Sequence, residues 1–232
     1  MYLLLSPIYL CDEANVTMYK PSRQFLDLYA PVGASDHGNP VLVHSTPDFF
    51  KLWEELERES GHICDVPFWA VAWPAARALS AFILQNAEMV SNKTVLDFGC
   101  GCGLAGITAA KQEAKVTLND IDPFAIHVAA ANCRINGVSC EISMDNLLCD
   151  ITTCFYEIIL IADCFYQKTI SDQIYTYLFQ QFKNGSTIII ADAHRPFTPR
   201  KNCSLLQTVT LQVDYAIEGV TEREVDLLRF AG

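Results

Sequence analysis

Between Val95 and Gly106 the sequence reads Val-Leu-Asp-Phe-Gly-Cys-Gly-Cys-Gly-Leu-Ala-Gly. A short apolar run ends in the carboxylate of Asp97, and alternating glycines follow before the chain turns helix-like. Glycine permits positive φ and leaves no Cβ between main chain and ligand, so such a loop can wrap a nucleotide-like cofactor. Two spacings overlap here. Gly101, Gly103 and Gly106 match G-x-G-x-x-G, which cradles a dinucleotide diphosphate, with Asp120 near the expected ribose position. Asp97, Gly99, Gly101 and Gly103 instead match D-x-G-x-G-x-G. Charge separates the two. A carboxylate just before the first glycine repels a diphosphate, but attracts a cofactor that carries an amine and a sulfonium and no phosphate.

That second chemistry belongs to S-adenosylmethionine, the cofactor expected here; Gly106 then reads as a close helix–strand packing position. The remaining candidates lie at the ends of later apolar runs. Asp120 can accept both ribose hydroxyls, whereas Asp122, before Pro123, suits a helix cap. Asp145 or Asn146 can accept from an adenine amino group, and both are also common turn formers. Cys100, inside the loop, and Ile121, beside Asp120, join the candidate cofactor surface. Next comes Asp163-Cys164-Phe165-Tyr166. Methyl transfer to an amine needs a neutral nucleophile, aimed and shielded from water. Asp163 can orient such an amine and help its proton leave, so it counts in both the catalytic and the cofactor-contacting set. Tyr166 can wall the channel with its ring face. Upstream, Pro67-Phe68-Trp69-Ala70-Val71-Ala72-Trp73-Pro74 is dense in aromatics, and Trp73 is the candidate to fold over the cofactor. His194 and Arg195 read first as structural residues at a sheet edge.

These residues need a frame. Strands are expected at 94–98, 115–119, 138–144, 157–162 and 186–191, and helices at 74–85, 104–112, 123–136 and 170–182. The alternation is that of right-handed crossovers in a parallel sheet covered on both faces. It breaks at the tail, where 208–217 and 223–230 read as an antiparallel strand pair around Gly219. Before Asp65 the pattern is mixed: apolar runs near Ile8, Phe25 to Tyr29 and Val41 to Val43, with turn residues Pro31, Gly33, Gly38, Asn39 and Pro40 between them. A helix from about Pro47, capped by Thr46, would bury Phe49, Leu52, Trp53 and Leu56. Two units follow: an N-terminal α+β extension over 1–64 and the main α/β domain over 65–232.

At 232 residues the chain can bury a full core. The net charge of −11 argues against non-specific nucleic-acid binding and suits a basic or amine-bearing partner. Ten cysteines without CxxC spacing or flanking histidines argue against zinc, so no metal is expected, and they read as small, reduced, mostly buried side chains of a cytoplasmic protein. The first ten residues are apolar, but too short to span a bilayer and without a basic start; they read as a strand, and no membrane partner is expected.

The segment 67–86 (PFWAVAWPAARALSAFILQN), the glycine loop, Asn119-Asp120-Ile121-Asp122-Pro123, Asp163-x-x-Tyr166 and the turn from Asp192 to Arg195-Pro196 resemble the seven-β-strand protein-lysine methyltransferases. Within that group they are most similar to the enzymes acting on the electron transfer flavoprotein β subunit. The resemblance implies a Rossmann-like seven-stranded sheet with an antiparallel C-terminal pair. It implies S-adenosylmethionine at Asp97, Gly99, Gly101, Asp120 and Trp73, a lysine site at Asp163 and Tyr166, and a protein substrate, by resemblance the flavoprotein β subunit. Ala193-His194 stands where the group often has Pro-Gly. The readings that compete with protein-lysine transfer are N-methylation of a small amine or pyridine, and an NAD-binding oxidoreductase or sensor.

Overall fold

The computed structural model describes residues 20–35, 39–149 and 154–232. The strand expected at 1–10 and the turn residue Gly38 lie outside the described residues. Helix α1 (Arg23–Tyr29) opens on Ser22, whose side chain accepts from the Phe25 N–H. Strands β1 (Val32–Ala34) and β2 (Leu42–His44) form an antiparallel hairpin. Helix α2 (Phe49–Ser60) begins later than its sequence suggests. Asp48 is its cap, accepting from the Lys51 N–H at 3.1 Å, because the Thr46 hydroxyl is engaged by the main chain of Asp48 itself.

After a single turn of tight helix at Phe68–Ala70 the regular part begins. It runs α3 (Pro74–Gln85), β3 (Thr94–Phe98), α4 (Leu104–Lys111), β4 (Lys115–Asn119), α5 (Pro123–Asn136), β5 (Glu141–Ser143), β6 (Ile158–Ala162), α6 (Lys168–Lys183) and β7 (Thr187–Asp192). β8 (Cys203–Gln212), the short α7 (Tyr215–Glu218) and β9 (Glu222–Phe230) complete it. The sheet order is β5-β4-β3-β6-β7-β9-β8, and β9 runs antiparallel to both its neighbours. This is the expected seven-stranded, mostly parallel sheet with its antiparallel closure. Several boundaries differ from expectation. β8 starts at Cys203, and residues 215–218 form α7 because Asp214 caps them through the Ala216 N–H. β5, at the edge of the sheet and paired to β4 alone, is only three residues long.

Side chains of the central strands alternate between two cores, the period of two that a sheet buried on both faces requires. Val95, Ile158, Leu160, Ile189 and Leu227 pack with α3, α4 and α5, while Leu96, Phe98, Ile159, Ile161 and Ile190 pack with α6. The N-terminal elements share these cores. Val41 and Val43 belong to the first, and Phe25, Leu26, Leu52 and Leu56 meet Trp69, Ala125 and Val128 in a third cluster. Asn132 of α5 stitches the two parts together: it accepts from the His44 N–H at 2.9 Å and donates to the Cys102 carbonyl at 2.9 Å, so β2 is tied to the glycine loop. Of the nine described cysteines, Cys64, Cys100, Cys102 and Cys133 are buried, Cys140, Cys164 and Cys203 are partly buried, and Cys149 and Cys154 are exposed, so fewer than the expected majority are fully buried. No helix among the described residues is long and apolar enough to cross a membrane.

Candidate active site

Order reverses between β3 and β6: the chain leaves β3 for β4 on one side and returns to β6 on the other. Ligands of open α/β sheets bind beyond the carboxyl ends of strands at such a switch point. The glycine loop and Asp163 follow the carboxyl ends of the two strands beside it, and Asp120 follows that of the next strand, β4.

Asp97, near the end of β3, is buried, and its Oδ2 accepts from the Gly106 N–H in α4 at 2.8 Å. Gly106 has no room for a side chain: a Cβ there would stand 2.3 Å from Leu118 Cδ2 and 2.9 Å from Asp97 Oδ2. Gly106 is thus a helix–strand packing residue. Burial pushes the Asp97 carboxyl up to about 7, against the opposing Gly106 bond, and neighbouring Asp120 adds to the rise. The carboxyl thus lies buried behind the loop, braced against α4.

The loop itself is open to a ligand. At Gly101 (φ 53°) an added Cβ would have only Trp69 Cα nearby, at 3.9 Å. The Gly101 N–H donates to Asp120 Oδ2 at 2.9 Å, and the Asp122 N–H to Oδ1 at 3.0 Å. Burial raises the Asp120 carboxyl despite these bonds. Asp122 instead caps α5 through the Phe124 N–H at 2.8 Å. Cys100 is buried within the loop and Ile121 is 50% exposed beside Asp120. Asp145 and Asn146 form the turn after β5. Asp145 Oδ2 accepts from the Ser143 hydroxyl and Asn146 Oδ1 from the Leu148 N–H, while Asn119 holds the Asp145 carbonyl at 3.0 Å.

The far wall comes from β6. Cys164 touches the loop so closely that a Cβ at Gly99 would lie 2.9 Å from its sulfur. Asp163 takes φ +56°, a strained value for a non-glycine residue. Its Oδ1 accepts from the Ala193 N–H at 3.1 Å and from Arg195 Nε at 3.0 Å. Its Oδ2 is buried with no partner. Tyr166 is half-exposed, and burial pushes its phenol up to about 12. Its ring lies 5.9 Å from that of Phe68, which lies 6.0 Å from Trp73, whose indole donates to the Phe68 carbonyl at 2.7 Å.

The contacts run from the glycine loop to Asp120 and Cys164, and from Tyr166 through Phe68 to the Phe68–Ala70 turn that faces Gly101; Asp163 and Tyr166 are joined through the short segment that also carries Cys164. Asp97 lies behind the loop, and Asp145 is tethered to it through Asn119. The Asn146 side chain is engaged only within its own turn. Three members were not singled out from sequence: Phe68, which links Trp73 to Tyr166; Trp69, whose backbone faces Gly101; and Arg195, read as structural but paired to Asp163. An arginine on the turn after β7 faces an aspartate after the adjacent β6, and that opposite charge on neighbouring strand ends was the available signal. The set could hold a cationic nucleoside cofactor. It offers a glycine-rich loop, a carboxylate hydrogen-bonded to that loop at Gly101, and a second carboxylate behind it.

Comparison with known proteins agrees. A family model described as lysine methyltransferase matches residues 54–208. The mouse electron transfer flavoprotein β subunit lysine methyltransferase is 31% identical over 222 residues, covering 94% of this chain and 86% of that protein. The rat enzyme of the same name is 33% identical over 132 residues, or 56% of this chain and 52% of its own length. An N-methyltransferase of Bradyrhizobium japonicum, solved with S-adenosyl-L-homocysteine, superposes with a TM-score of 0.53 at 17% identity, covering 78% of this chain and 98% of its own, and shares the fold.

Proposed function

Because the chain belongs to the lysine methyltransferase family, we propose that it transfers a methyl group from S-adenosylmethionine to a lysine of an electron transfer flavoprotein β subunit. S-adenosylmethionine supplies an electrophilic methyl group on a sulfonium sulfur. The observation that carries the site assignment is Asp163: a buried carboxylate oxygen with no partner, on the segment whose next residue, Cys164, meets the glycine loop. An amine arriving there donates to Oδ2, which aims its lone pair and receives its proton as it leaves. Phe68 and Tyr166 flank the entrance with apolar surface, exclude water, and favour a cationic side chain through their ring faces. Asp120 would accept the ribose hydroxyls, Asp145 or Asn146 the adenine amino group, and Trp73 would wall the pocket with Gly99, Cys100, Gly101 and Ile121. A net charge of −11 suits a lysine-bearing partner, and the nine free thiols among the described residues suit a reducing compartment. Incubating the protein with purified flavoprotein β subunit and S-adenosylmethionine, then mapping peptides by mass, tests the substrate. Methyl-lysine is expected, and an unmodified subunit would reject this target.

Asp97 yields a pH-dependent expectation. Its carboxyl holds a proton more tightly in the folded chain, so the stability it contributes is complete below its ordinary 3.8 and lost as pH rises through about 7. Asn at this position can still accept from Gly106 and carries no charge. Apo Asp97→Asn is therefore expected to melt above the wild type at pH 8, with the gap closing towards pH 5. It should bind S-adenosylmethionine ~10-fold more weakly at pH 8, the loss of one nearby charge in a partly screened site. Thermal melts with and without cofactor across this range check both halves. Equal melting at pH 8, or unchanged affinity, contradicts the assigned role.

A further inference from the structure

The amine site at Asp163 has a second component, on which neither the family nor the reaction depends by name. We propose that Arg195 is a positioning residue for transfer: it holds Oδ1 of Asp163 so that Oδ2 remains a buried, unshared acceptor for the lysine amine. This rests on the reading of Asp163 as the amine acceptor.

The geometry is specific. A carboxylate free to turn about its last bond presents its two oxygens interchangeably. Two donors from one loop remove that freedom here: the Ala193 N–H at 3.1 Å and Arg195 Nε at 3.0 Å both end on Oδ1. The Asp163 side chain is only 9% exposed, and Oδ2 has no partner. Buried acceptors without partners are uncommon and costly, and each calls for an explanation. The Asp163 N–H also donates to the Ala191 carbonyl at 3.1 Å, so main chain and side chain are both tied to the end of β7.

Arg195 is itself held in place. Asp192, fully buried, accepts from the Arg195 N–H at 3.0 Å and from the Thr198 hydroxyl at 2.7 Å, and it pairs with Arg200. Arg200 reaches Asp226 of β9 at 2.5 Å, and Thr208 of β8 donates to the same carboxylate at 2.7 Å. His194, at φ +61°, places its ring nitrogen 3.2 Å from Asp226. The loop from Ala193 to Arg200 is thus clamped by two buried acids on adjacent strands. Its one guanidinium that points back to β6 is the one on Asp163. A lysine in its place would keep the charge but lose the planar Nε–H geometry.

The test is a double-variant cycle. Wild type, Arg195→Ala, Arg195→Lys, Asp163→Asn and the double variant Arg195→Ala/Asp163→Asn are incubated with methyl-labelled S-adenosylmethionine and the same cell extract, and label on lysine is followed. Cofactor affinity by calorimetry and thermal unfolding are measured alongside. Arg195→Ala is expected to slow lysine labelling at least ~10-fold, less than the ~10²-fold loss at Asp163, with cofactor affinity within ~2-fold of wild type. Arg195→Lys should recover part of the rate. In the Asp163→Asn background, Arg195→Ala should cost nothing further, because a residue acting through another has no effect once the other is gone. A wild-type signal that Arg195→Ala leaves unchanged, or losses that multiply in the double variant, overturns the proposal and leaves the lysine reading standing. No lysine label from the wild type overturns that reading, and the proposal with it.

Discussion

Asp120→Ala is expected to weaken S-adenosylmethionine binding by ~10² or more while the apo chain stays folded. The carboxylate sits after β4 and spans the loop, accepting from Gly101 on one oxygen and Asp122 on the other. Two charge-assisted hydrogen bonds to ribose hydroxyls contribute about 1.5 kcal/mol each, and about 3 kcal/mol is a factor of ~10² in affinity. Loss of the Gly101 bond also frees the loop the ligand must lie against, which adds to the effect. The fold tolerates the change because burial already raises this carboxyl, so removing its charge relieves a cost as it deletes two bonds. Calorimetric titration and a thermal melt separate the two terms. Affinity within about threefold of wild type would remove Asp120 from the ribose role and reduce it to a loop brace.

Asp163→Asn is expected to lower turnover by ~10² or more and to leave cofactor affinity nearly intact. The size follows from which oxygen is held. Ala193 and Arg195 both donate to Oδ1, so an asparagine must turn its carbonyl towards them. Its amide nitrogen then occupies the place of Oδ2. An acceptor for the incoming amine becomes a donor facing a donor, and that is worse than a simple deletion. Asp163→Ala should accordingly lose no more activity than Asp163→Asn, despite being the larger truncation. Steady-state rates at saturating cofactor check this. Wild-type turnover in Asp163→Asn would leave Asp163 a purely structural partner of Arg195.

Much of the frame was legible because its signals are local. β3, β4, α3 and α5 run as their periodicities indicate, and α5 begins at Pro123 after Asp122 and ends at Gly137, whose φ of 67° is a helix stop. The continuous apolar runs of β6 and β7 carry the two-faced core directly. What was less legible depends on competition between neighbours or on distance in the chain. Thr46 could have capped α2 as well as Asp48, and its own turn decided it. The heptapeptide α1 is too short for periodicity to mark it. In the site, the overlap of two glycine spacings was resolved by the chemistry of Asp97, and Gly106 proved to be a contact with Leu118 and Asp97. The Arg195–Asp163 pair joins residues 32 positions apart, and the Phe68–Tyr166 contact joins a segment before the sheet to one inside it. Neither can be read from spacing.

The most direct test of the central claim is to incubate the protein with methyl-labelled S-adenosylmethionine and a cell extract, and then to identify the labelled atom. Label on the side-chain nitrogen of a protein lysine, lost in Asp163→Asn, is the predicted result. Label carried by a small amine, by another residue type, or persisting at full rate without Asp163 would contradict the account.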